Sequence, residues 1–128
     1  MHRRIGTTTH VVTRLLRVHK AASDIIGRTE HNETQITRYC KDPKAIRDSA
    51  QYKEHMKQFK AVQAAIEETT KSNASGQIRL TEEGANEVMA VVAEFEKAEN
   101  QLHERIQRKC SGASLRGPIN IEGHVELS

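Results

Sequence analysis

The sequence predicts an all-α protein, a helix-turn-helix-containing N-terminal part followed by a long antiparallel helical hairpin. Three observations carry this expectation. Apolar residues recur at three- and four-residue steps through two long stretches, 43–71 and 81–109. Asp42-Pro43 and Thr81 stand where helices start, and Ser72-Asn73-Ala74-Ser75-Gly76 is a small polar break between the two patterns. A short polar run from His31 to Lys41 carries a start signal of its own. The chain divides accordingly into a basic helix-turn-helix-like segment (1–42), a hairpin that supplies oligomerisation (43–110) and a flexible tail (111–128).

Residues 1–7 read as a short basic lead, with Arg3 and Arg4 placed to touch phosphate. Thr8 or Thr9 caps a helix running to Lys20 or Ile26, whose buried side is Val11, Val12, Leu15, Leu16, Val18, Ala22, Ile25 and Ile26. So wide an apolar arc suits a helix central in a bundle. Arg14, Arg17 and Lys20 fill the remaining strip, either as backbone clamps on a polyanion or as solubilising charge.

In the run from His31 to Lys41, Asn32 is a good N-cap, and Gln35 can reach back to its backbone N–H in a capping box. Ile36 and Tyr39 are the sizeable apolar groups, three residues apart on one face, and the rest is polar. As the second helix of a helix-turn-helix it lays Thr34, Gln35, Thr37 and Arg38 in a major groove, with Ile25 and Ile26 packing from the first helix. The turn position usually given to glycine is Glu30, and Gly27 falls earlier. A structural linker helix has the same appearance.

The segment Asn32-Glu33-Thr34-Gln35-Ile36-Thr37-Arg38-Tyr39-Cys40-Lys41-Asp42 resembles the recognition-helix region of the CII-type transcription activators of lambda-like phages, over about a dozen residues. The resemblance implies DNA reading by Thr34, Gln35, Thr37 and Arg38, with Ile36 and Tyr39 as hydrophobic support. The absent turn glycine and the long C-terminal half depart from that family. Gln77-Ile78-Arg79-Leu80-Thr81-Glu82-Glu83-Gly84 also looks like the wing strand leading into the dimerisation helix of MarR-type repressors, without their Asp-x-Arg wing signature.

After Lys41, Pro43 opens a helix expected to run to Lys71, with Ile46, Ala50, Met56, Phe59, Val62 and Ile66 as a seam and Tyr52 between. Lys53, Lys57 and Lys60 flank it. Thr81 caps the last helix, and Glu82 and Glu83 suit its first turn. Val88, Val91, Val92, Phe95, Ala98, Leu102 and Ile106 carry its seam to Lys109, where Arg105, Arg108 and Lys109 suit the C-terminal dipole. A two-helix hairpin cannot bury both seams alone, so it packs on the first helix or a second subunit.

At 128 residues, 36% apolar and 3% aromatic, one thinly packed domain or a shared oligomer core is expected. The net charge of +3 hides an asymmetry: residues 1–60 hold 13 Lys or Arg against 6 Asp or Glu, and residues 61–128 hold 7 against 11. The basic half contains the candidate recognition helix. Cys40 and Cys110 show no C-x-x-C spacing, and the seven histidines lie far apart, so neither a disulfide framework nor a zinc site is expected. No apolar run is long enough for a membrane span, and the start of the chain lacks a signal-peptide pattern, which reads as cytoplasmic. No cofactor and no catalytic constellation is apparent.

The leading expectation is therefore a non-enzymatic, homo-oligomeric, sequence-specific regulator of transcription on double-stranded DNA, with RNA polymerase as a candidate partner. Arg14, Arg17, Arg28, Lys41 and Lys44 would hold phosphate, and Thr34, Gln35, Thr37 and Arg38 would read sequence. The competing expectation is a helical-hairpin adaptor or assembly protein whose apolar faces bind another protein.

Overall fold

The computed structural model describes residues 2–69 and 80–115, with side chains from residue 12 onward. Four helices follow one another: α1 (His2–Tyr39), α2 (Pro43–Arg47), α3 (Ala50–Thr69) and α4 (Glu82–Lys109). The all-α expectation holds, with no strand among the described residues. The polar loop at 72–76, the extended piece at 77–79 and the tail beyond 115 fall outside them.

The largest departure from expectation is α1. It runs 38 residues without a break, about 57 Å at the usual rise. The expected basic lead is its first turns, Thr8 and Thr9 lie inside it, and no turn separates Ile26 from Asn32, so the segment 1–42 holds no helix-turn-helix. Two causes are visible. The segment 2–39 contains no proline to interrupt the ladder. Its buried stripe also continues through the polar run, from Val18, Ala21 and Ile25 to Asn32, Gln35 and Ile36. Asn32 and Gln35 spend their amides on tertiary partners, so neither is available to cap a new helix.

The expected helix 43–71 is also two pieces. Asp42 caps α2 by accepting the Ala45 N–H at 3.1 Å, with Pro43 at the start of the helix. Ser49 then makes the junction. Its hydroxyl donates to the Ile46 carbonyl at 2.6 Å and accepts the Tyr52 N–H at 3.2 Å, ending one helix and starting the next. Thr81 caps α4 as expected, accepting the Gly84 N–H at 2.9 Å.

Helices α3 and α4 are antiparallel, since Thr69 lies beside Gly84 at one end and Gln51 meets Arg105 at the other. α1 lies parallel to α4: Arg14 reaches the Leu80 carbonyl, Arg28 meets Glu96 and Glu99, and Cys40 joins Cys110. The hairpin therefore buries its seams against α1, and residues 1–42 share a core with 43–110. Val18, Ala21, Ile25, Val62, Val88, Val92 and Phe95 belong to one apolar cluster. Ile36, Cys40, Ile46, Leu102, Ile106, Cys110 and Leu115 form a second.

The Cys40–Cys110 disulfide corrects the expectation of two unlinked cysteines. It closes a span of 70 residues, with the two Cα atoms 4.5 Å apart. Residues 111–115 are likewise part of the fold. Gly112 takes a left-handed φ of +85° and turns the chain back over α1, where a Cβ would meet the Tyr39 ring at 3.4 Å. Ser114 donates its N–H to Gln35 Oε1 at 2.7 Å, its carbonyl lies 2.7 Å from His31 Nε2, and Leu115 is buried.

Candidate functional site

The residues expected to contact DNA fall into two groups. Gln35, Arg28 and Arg14 are engaged within the bundle. Gln35 is only 6% exposed and holds the backbone of Ser114. Arg28 binds Glu99 through two of its nitrogens and Glu96 at 3.3 Å through a third. Arg14 donates to the Leu80 carbonyl at 3.3 Å. A guanidinium tied to the buried Glu99 and the half-buried Glu96 is not free to bind phosphate, which takes Arg28 out of the phosphate-clamp role.

Thr34, Thr37, Arg38, Lys41, Lys44 and Arg17 remain exposed. Thr34 donates back to the Glu30 carbonyl at 3.0 Å, and Lys44 pairs with Asp48 at 2.7 Å. The hydroxyl of Thr37 accepts from Arg47 at 2.8 Å, and the same guanidinium pairs with Glu33 at 2.6 Å. The other Glu33 oxygen takes the Tyr52 hydroxyl at 2.8 Å. Burial, with that carboxylate second, raises the Tyr52 phenol above its ordinary value. This network fastens α2 and α3 to α1.

Between the two apolar clusters lies a buried polar layer that the charge pattern did not reveal. Glu99, 1% exposed, accepts from Arg28 and from Asn32 Nδ2 at 2.8 Å, and Asn32 Oδ1 lies 3.0 Å from His103 Nε2. Beside it, the His55 ring packs 5.0 Å from the Phe95 ring and is 1% exposed, with neither nitrogen hydrogen-bonded. Burial pushes its pKa down to about 4, outweighing the attraction of Glu99. Asp24 Oδ2 and Thr29 Oγ1 are also buried without a partner. Among the described residues no group of three His, Cys, Asp or Glu is arranged to hold a metal ion.

Two surface features are open to a partner. The first is the outer face of α1, where Val12, Leu16 and Ile26 are 49%, 64% and 44% exposed. At 100° per residue the three fall within an arc of about 80°, with His19 and Ser23 between them. Of the broad apolar arc read from the sequence, Val18 and Ile25 are buried and Leu15 and Ala22 half-buried, and Ala21, outside that arc, is buried with them.

The second is the disulfide end, where α1 and α4 both finish. A cavity of about 240 Å³ opens there, walled by Cys40, Cys110, Ala45 and Ile46 and edged by Lys41, Arg105, Lys109 and Asp42. Its signals in the sequence were the two cysteines that close the α1 and α4 stripes, together with the basic last turns of those helices.

No helix among the described residues is long and apolar enough to cross a membrane. No family model, curated protein or solved structure matches this chain.

Proposed function

We propose that this protein is a non-enzymatic adaptor or assembly module, a clasped helical bundle that docks another protein through the outer face of α1. The exposed row Val12, Leu16 and Ile26 carries this reading, since it is apolar surface that the molecule's own core leaves uncovered. A partner helix presenting apolar residues at three- and four-residue spacing suits such a row. The disulfide supports an oxidising location over the cytoplasm, because such bonds persist where thiols are not kept reduced.

A photo-crosslinking amino acid placed at Leu16, and separately at Gln107, tests the proposal in cells making the full chain. A discrete protein adduct from position 16, absent from 107 and lost with Ile26→Glu, supports it. Equal labelling from both positions overturns it.

Binding of double-stranded DNA, as a homo-oligomeric transcription regulator working with RNA polymerase, stands as the second reading. It is favoured by the exposed Arg17, Arg38, Lys41 and Lys44, with Thr34 and Thr37 alongside. Without a recognition helix of its own, the segment would bind mainly through phosphates, with steep salt dependence. Mobility shifts at two salt concentrations test it: loss of binding with Arg38→Ala supports this reading, and no duplex binding at low salt ends it.

A further inference from the structure

We infer that the cavity beside the Cys40–Cys110 bridge binds a small carboxylate with an apolar stem. Its floor, the disulfide with Ala45 and Ile46, is uncharged and suits hydrocarbon. Its rim is cationic. Among the described residues Lys41 and Lys109 pair with no acid, and the one carboxylate on the rim, Asp42, spends an oxygen on capping α2.

Arg105 is the sharpest of these observations. Its Nε is buried without an acceptor, and the acceptor its Nη1 has is the neutral amide oxygen of Gln51 at 3.5 Å. Among the described residues this guanidinium pairs with no acid, and a carboxylate is the acceptor whose two oxygens match the guanidinium fork. Compensation of the helix dipole explains basic residues in the last turn of α4, but not the concave apolar floor beneath them. About 240 Å³ lies below the range of drug-sized pockets and suits a short fatty or aromatic acid.

The test is titration of the isotope-labelled full chain, disulfide intact, with octanoate, octanol and inorganic phosphate, followed by amide chemical shifts. Octanoate should give saturable shifts confined to 40–46 and 105–110, with a Kd on the order of 1 mM for so small a ligand. Arg105→Gln should weaken it about tenfold, and Lys109→Gln about threefold, at unchanged thermal midpoint. Should Arg105→Gln fold poorly, the Kd in the unaltered protein must still rise with salt. Octanol binding as tightly as octanoate, phosphate saturating the same amides, or no saturable shift in 40–46 and 105–110 would each overturn the assignment.

Discussion

The two ends of the bundle are held together by different means. Around Val18, Ile25, Val62, Val88, Val92 and Phe95, cohesion comes from apolar area contributed by three long helices. Around Ile36, Ile46, Leu102 and Ile106, a five-residue α2 covers the core in place of a full helix, and a covalent bond makes up the difference. The layer of Arg28, Asn32, Glu99 and His103 separates them. Where a chain has few large side chains, a cross-link can replace packing at the thinner end, and a buried charge layer can fix the register between the ends.

Reducing the bridge should break this comparison most forcefully. A closed span of 70 residues restrains the unfolded chain by about 4 kcal/mol on the loop-entropy account. Hydrogen exchange should show residues 36–46 and 102–110 losing protection first, while 18–25 and 85–95 keep theirs. Equal loss at both ends would mean that they are one cooperative unit.

Glu99→Ala should cost about 3 kcal/mol, because it leaves Arg28 buried with the more exposed Glu96 as its remaining partner. Chemical denaturation measures it, and a cost near zero would show the layer to be solvated.

Acid should act at the same level through His55. Its pKa in the fold is about 4 against an ordinary 6.5, so the folded state resists a proton that the unfolded chain accepts. This contribution is intact above pH 6.5, falls between 6.5 and 4, and is reduced by about 2 kcal/mol at pH 5. His55→Leu should flatten that slope in a pH series of thermal midpoints, and an unchanged slope would place the titration elsewhere.

At the apolar end, Thr81→Ala should cost about 1 kcal/mol by removing the α4 cap. Leu16→Glu should leave stability within about 0.5 kcal/mol while removing partner capture, since that side chain is 64% exposed. A large destabilisation there would return the α1 face to the bundle.

The helical periodicity told the truth about α4, from the Thr81 cap to the seam through Val88, Val92, Phe95, Leu102 and Ile106. It was silent on the polar run in α1. Asn32 looked like an N-cap and Gln35 like an outward-facing reader because amides are usually exposed, and their partners Glu99 and Ser114 lie 67 and 79 residues away. The available signal was register: Ile25, Asn32 and Ile36 continue one stripe at helical spacing, which places the amide inside a continuing helix. Cys40 closes that stripe and Cys110 closes the one on α4. The bridge was legible only once the two helices were known to run parallel, a fact of topology that spacing does not carry. The cavity depends on the same crossing and on the short α2, whose end was hidden in the ordinary residues Asp48 and Ser49.

The covalent link also sets how the molecule would carry a mechanical load. Tension applied between the segment before Cys40 and the segment after Cys110 passes directly through the sulfur pair. Everything in between, including α2, α3 and α4, sits in a side loop that the pull bypasses. A tether built this way keeps the load off the hairpin backbone, and yields the enclosed length, about 240 Å of extended chain, only to a reducing agent.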